Sequence, residues 1–141
     1  MTKVIRDLLI VDDDDLTAEC LERSLAKAGG AFRVIPAEDG REALQILQGK
    51  SSKHVENPFI VVLDLNMPRM NGFEFLDELR ADPRLRGSVV FVLSSSDAEL
   101  DIVRAYDNFV AGYMVKTVVG SQFSQVAKML MEYTQTVRML N

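Results

Sequence analysis

Short apolar runs alternate along the chain with longer segments in which apolar residues return every three or four positions. Arg6–Val11 reads as a strand. From about Leu16 a helix follows, with Cys20, Leu21, Leu25 and Ala28 spaced to bury one face, until Gly29-Gly30 ends it. Phe32–Ile35 is a second, more polar strand, and Pro36, which has no N–H to donate, favours a sheet edge. A helix from about Gly40 to Leu47 turns Ala43, Leu44 and Leu47 inward, and the polar stretch Gly49–Pro58 is a loop. Phe59–Leu63 is a third strand ending at Asp64, followed by a helix through Phe73, Phe75, Leu76 and Leu79 that Asp82-Pro83 closes. Val89–Leu93 is apolar on both faces, as a central parallel strand covered by helices should be. A helix from about Ala98 to Phe109 and a strand over Gly112–Val115 come next. The last helix is expected to start near Ser121, with Phe123, Val126, Ala127, Leu130, Val137 and Leu140 along its apolar face. Strand-then-helix units repeated in this way predict an α/β fold with a parallel sheet.

Composition narrows the picture. With 48% of its 141 residues hydrophobic, the chain can bury one core but not comfortably two, so a single domain over residues 1–141 with no separate output domain is expected. The apolar runs are about five residues long, against the roughly 20 needed to cross a bilayer, and the first residues lack an export signal. No membrane association and a cytoplasmic location are expected. The lone Cys20 cannot form an internal disulfide and reads as buried filler. A net charge of −5 opposes the phosphate backbone of nucleic acid, and no basic stripe or aromatic platform offsets it, so nucleic acid is not an expected partner.

The candidate chemistry sits where strands hand over to helices. Asp12 and Asp13 follow the first strand, Asp64 the third, Ser94 the fourth and Lys116 the fifth. Parallel α/β sheets collect ligands outside the carboxyl ends of their strands. Carboxylates from two strand ends therefore suit a hard cation and a phosphoryl group. Asp14 and Asp15 are read instead as a helix cap and first-turn acids, and Ser95 and Ser96 as turn and cap residues. His54 has no neighbouring histidine or cysteine with which to bind a metal. Tyr133, Val137, Met139 and Leu140 are candidates for a homodimer or partner seam, with ordinary core packing as the equal alternative.

The order and spacing of these groups, together with the turn Asp64-Leu65-Asn66-Met67-Pro68-Arg69-Met70-Asn71-Gly72, resemble the receiver domain of two-component response regulators across essentially the whole chain. The resemblance implies a flavodoxin-like doubly wound (βα)5 fold with a five-stranded parallel sheet in the order 2-1-3-4-5. It implies that Asp64 accepts a phosphoryl group from a sensor histidine kinase, with Mg2+ held by Asp12, Asp13, Asp64 and the backbone carbonyl of Asn66. Lys116 would neutralise charge on the transferring group, and the Ser94 hydroxyl would meet a phosphoryl oxygen. Tyr113 stands at the position of the aromatic readout, whose ring turns inward when the Ser94 counterpart moves. The loop before the third strand and the Ser94-Ser95-Ser96 triplet are similar to stand-alone regulators associated with bacterial phytochromes, which makes a phytochrome the expected kinase. Such a protein is not an enzyme beyond its own phosphorylation and dephosphorylation, and it signals through a downstream protein.

One residue departs from that pattern. Receivers commonly place proline after the strand-five lysine, often through a cis bond, whereas Thr117 follows Lys116 here. A cis bond before a non-proline residue costs roughly 2.5–4 kcal/mol, so a trans Lys116–Thr117 peptide is expected. Two other functions compete with the switch: a degenerate receiver serving as a constitutive binding or dimerisation module, and a Mg2+-dependent phosphohydrolase. The latter needs a general acid and substrate-closing elements for which this length leaves little room.

Overall fold

In a computed structural model describing residues 5–120 and 122–140, five parallel strands form one sheet in the order β2-β1-β3-β4-β5. They are β1 (Arg6–Val11), β2 (Phe32–Ala37), β3 (Phe59–Leu63), β4 (Val89–Ser94) and β5 (Gly112–Val115). The helices are α1 (Asp15–Lys27), α2 (Gly40–Leu47), α3 (Gly72–Ala81), α4 (Glu99–Asp107), α5 (Lys116–Val119) and α6 (Ser124–Thr136). This is the doubly wound flavodoxin-like fold, with Pro36 on the edge strand β2. No described helix is long and apolar enough to cross a membrane.

Strand alternation divides the core into two layers, because successive side chains point to opposite faces. Leu9, Val11, Val61, Leu63, Val90 and Val92 pack under α2, α3 and α4. Leu8, Ile10, Ile60, Val62, Phe91 and Leu93 pack under α1 and α6. Register then aligns the strand ends: Val11 pairs with Leu63, and Leu63 with Val92. The Asp64 N–H donates to the Val11 carbonyl at 2.9 Å, so Asp12 and Asp64 leave the sheet side by side.

Two glycine positions show how local sequence makes the site fit. A Cβ on Gly72 would lie 2.5 Å from the Asp64 carbonyl oxygen, so only glycine lets the start of α3 fold back against the end of β3. At the close of α1, Gly29 takes φ +79, and the Gly30 N–H reaches the Leu25 carbonyl at 2.9 Å, a Schellman-type stop.

Several boundaries differ from expectation. β2 runs on to Ala37, β4 includes Ser94, and α4 is shorter at both ends, with Ala98 as its N-cap and Phe109 beyond it at φ 61. The short helix α5 begins at Lys116 itself, and the final helix starts at Ser124; the expected start at Ser121 lies outside the described residues. That helix stops at Thr136, leaving Val137 and Leu140 exposed rather than on its apolar face. Tyr133 and Met139 pack on the α1/α6 core layer, Tyr133 edge-on against Phe91 at 5.3 Å between ring centroids. Cys20 is half-buried rather than buried. The Lys116–Thr117 peptide is trans; among the described residues only Asn57–Pro58 is cis.

Candidate functional site

Asp12 ends the run that leaves β1, and its position is fixed at once. Its N–H bonds the Ala37 carbonyl, and its Oδ1 accepts from the Asp14 N–H at 2.8 Å. Asp14 in turn caps α1 through the Leu16 N–H, as its place in the acid run suggests. Asp12 and Asp64 are buried while Asp13 is exposed, and the three carboxylates bring ligand atoms within 4.8 Å of one another. Lys116, at the first position of α5, extends its ammonium between the two buried acids, 2.8 Å from Asp12 Oδ2 and 3.8 Å from Asp64 Oδ2.

The electrostatics follow from this crowding. Burial pushes the Asp64 carboxyl up, the neighbouring Asp12 charge adds to the effect, and Lys116 with the Asn66 and Leu65 N–H groups opposes it, leaving a pKa of about 6. Asp64 Oδ1 is buried without a hydrogen-bond partner of good geometry. Burial lowers the Lys116 ammonium, but its hydrogen bond to Asp12 and the charges of Asp12 and Asp64 outweigh that and hold its pKa above the ordinary lysine value. An under-coordinated buried carboxylate beside two more acids fits a hard divalent ion taking oxygen ligands. The donor set of Asp12, Asp13 and Asp64 therefore matches Mg2+ chemistry.

Ser94, fully buried at the end of β4, accepts the Ser96 N–H at 3.2 Å. Ser96 is the hub of this turn. Its hydroxyl donates to Asp101 at 2.6 Å and accepts from Ala98 N–H, while its carbonyl accepts the Tyr113 hydroxyl at 2.8 Å. Tyr113 is half-buried, packed on the α2/α3/α4 core layer.

The model of the response regulator receiver domain matches residues 8–128. The chain belongs to that family. The receiver is 30% identical over 126 residues to the probable methanogenesis regulatory protein FilR2 of Methanothrix harundinacea, covering 89% of this chain and 81% of that one. It is 29% identical to response regulator Rcp1 of Synechocystis, over 78% of this chain and 76% of Rcp1. Among solved structures it resembles the phosphorylated cyanobacterial phytochrome response regulator RcpA (TM-score 0.82, 29% identity, 97% and 99% of the two chains). The bacteriophytochrome response regulator AtBRR is also similar (TM-score 0.75, 33% identity, 99% of each chain). Receiver domains are in general non-enzymatic signalling modules of two-component systems, phosphorylated by histidine kinases.

The receiver's structure also brings in residues that strand-end reasoning passed over. Arg69, at φ 63 in the β3–α3 turn, bonds Asp39 Oδ2 at 2.6 Å through Nε. Asp39 is itself buried and caps α2, accepting the Glu42 N–H, so the clamp ties the turn that carries Asn66 to the neighbouring loop. Asp39 before Gly40 carried an N-cap signature, whereas nothing local marked Arg69 as its partner. Tyr106, on α4, accepts the Tyr113 N–H with its phenolic oxygen at 3.2 Å, a contact no linear spacing announces.

Proposed function

We propose that this receiver is a phosphorylation-dependent switch whose phosphoacceptor is Asp64. The observation that carries the reading is a buried Asp64 with one unpartnered oxygen, gathered with two further aspartates and with a lysine 3.8 Å from its other oxygen. A carboxyl with pKa about 6 remains mostly ionised near neutral pH and so stays nucleophilic. An Asp64 oxygen attacks the phosphorus of a phosphohistidine on a sensor kinase; the O–P bond forms as the P–N bond breaks, and the departing imidazole takes up a proton. Phosphoryl transfer depends mainly on positioning and charge stabilisation. Mg2+ held by Asp12, Asp13, Asp64 and the Asn66 carbonyl supplies such stabilisation when bound. The Lys116 ammonium, already 3.8 Å from Asp64, supplies another fixed positive charge.

The kinase approach fits an apolar groove of about 460 Å3 beside Lys116, lined by Leu16, Thr17, Cys20 and Phe123 among others. Leu16, on α1, is 63% exposed at its mouth. The similarity to phytochrome response regulators makes a phytochrome-type histidine kinase the proposed donor. Readout runs through Ser96. When the Ser94 hydroxyl turns to a phosphoryl oxygen it gives up the Ser96 N–H, and Ser96 is the residue whose carbonyl holds the Tyr113 hydroxyl. Added charge at Asp64 thereby biases the β4–α4 turn and the face that α4 and β5 offer a downstream protein.

Incubation with phosphoramidate and Mg2+, followed by intact-mass measurement, tests the assignment. One phosphoryl adduct on the wild type and none on Asp64→Asn is the expected result. An adduct that survives Asp64→Asn, or a wild type that never forms one, overturns it.

A further inference from the structure

The opposite end of the sheet holds a second site. Phe59 and Val89, the first residues of β3 and β4, contribute to a cavity of about 520 Å3 far from Asp64, roughly one strand length or about 17 Å away. Its floor is apolar: Val55, Phe59, Leu85 and Met139 come from separate segments, and Phe59 and Leu85 are only 8% and 9% exposed. Its rim carries Arg84, Arg86 and Arg138, all exposed, and no aspartate or glutamate lines it. None of the three guanidinium groups has a hydrogen bond or ion pair among the described residues, in a chain with 16 basic residues against 21 acidic ones.

The neighbouring Arg80 shows what a structural arginine does here. Its guanidinium is spent on the carbonyls of Asn108, Arg86, Ser88 and Phe109, each at 2.8 or 2.9 Å. Those bonds, with the Arg86 N–H on the Asp82 carbonyl and the Ser88 hydroxyl on the Leu85 carbonyl, hold the loop that presents Arg84 and Arg86. The backbone that presents Arg84 and Arg86 is thus held in place while the rim charges are left unanswered, and a fixed backbone lowers the cost of binding.

We propose that this cavity is a docking site for an acidic peptide segment of a partner protein, anchored by one bulky apolar side chain. Guanidinium groups around an apolar floor match the composition of protein interfaces, in which arginine surrounds a dehydrated centre. Carboxylates on the peptide pair with the rim and the apolar residue fills the floor. A flat bilayer does not reach into a concavity, and the lining offers no exposed aromatic face for a nucleobase, since Phe59 is buried and Tyr133 packs on Phe91.

Fluorescence anisotropy with a labelled peptide of glutamates flanking a single phenylalanine tests the proposal on the full chain. Binding is expected to weaken at least about tenfold in the combined Arg84→Ser, Arg86→Ser and Arg138→Ser variant, and equally when serine replaces the peptide's phenylalanine. Adduct formation with phosphoramidate is expected to be unchanged in the variant, which shows it folded and separates this site from Asp64. Absence of binding, binding that ignores either change, capture of phosphatidylserine vesicles in place of the peptide, or a self-association that the variant abolishes would each overturn the proposal.

Discussion

Asp7 and Asp64 are buried aspartates at opposite ends of the same sheet, 4% and 7% exposed, and they are treated in opposite ways. Burial pushes both carboxyls up. At Asp7 that push is overcome: Arg33 donates through Nε at 2.9 Å and Nη2 at 2.5 Å, the Glu56 N–H donates at 2.6 Å, and the carboxyl is held below the usual range. At Asp64 no guanidinium arrives, one oxygen has no partner, a second carboxylate stands close by, and the pKa rises to about 6. Similar surface exposure therefore accompanies a structural carboxylate where the acceptors are saturated, and an under-coordinated one where the fold surrounds the carboxyl more deeply and withholds partners. The deficit at Asp64 is what a cation and a phosphoryl group would fill.

Removing the cation nearest Asp64 is the strongest way to sharpen that contrast. Lys116→Ala is expected to slow adduct formation from phosphoramidate by at least about 100-fold, the scale of one lost electrostatic donor in a transition state, as read by time-resolved intact mass. Asp7→Ala is expected to leave that rate unchanged but to cost about 1–3 kcal/mol in urea unfolding, because it strands the Glu56 N–H and Arg33. A slowed adduct in Asp7→Ala would erase the distinction between the two acids.

The pH dependence has opposite sign at the two positions. The lowered Asp7 pKa contributes stability that is present above pH 3.8 and lost as pH falls through its folded value. The raised Asp64 pKa means the native state binds more protons between pH 3.8 and about 6, so stability falls as pH rises through that window. The shift bounds the penalty at about 3 kcal/mol, and solvent screening reduces it to about 1–2. Asp64→Asn should thus be more stable than the wild type by about 1–2 kcal/mol near pH 7.5 in chelator, with the gain gone below about pH 4. Equal urea midpoints at pH 7.5 would show that Asp64 ionises without strain. A smaller effect completes the set: Mg2+ at ten times its Kd should stabilise the wild type by about 1.4 kcal/mol, and Asp13→Ala should lose most of that gain in thermal unfolding.

Much of this is legible in the order of residues alone. Asp12, Asp64, Ser94 and Lys116 stand directly at the ends of apolar runs, so identifying the strands also identified the candidates, and the receiver turn through Gly72 named their arrangement. Less was legible where an element ends without a strong signal. The apolar spacing of Val137 and Leu140 continued the pattern of the last helix, yet the helix stops at Thr136 and both side chains face solvent. Lys116 follows the fifth strand as expected, but it also opens a short helix that no local signal announces. The Arg69–Asp39 clamp, the Tyr106–Tyr113 contact and the Asp7–Arg33–Glu56 cluster join residues from different elements, and no spacing along the chain encodes them.

The sequence by itself determined the alternation of strands and helices, the two-sided burial of β4, and which chemical groups would stand at the strand ends. Those properties depend on the order of apolar and polar side chains over a few residues, which local geometry converts directly into faces and turns. Only the tertiary structure decided that Lys116 lies closer to Asp12 than to Asp64, that one Asp64 oxygen goes unpartnered while Asp7 is fully answered, and that three arginines of the far end face an apolar cavity unpaired. Charge and hydrogen-bond energies fall off over a few ångströms, so they are set by which segments the sheet register and helix packing bring together.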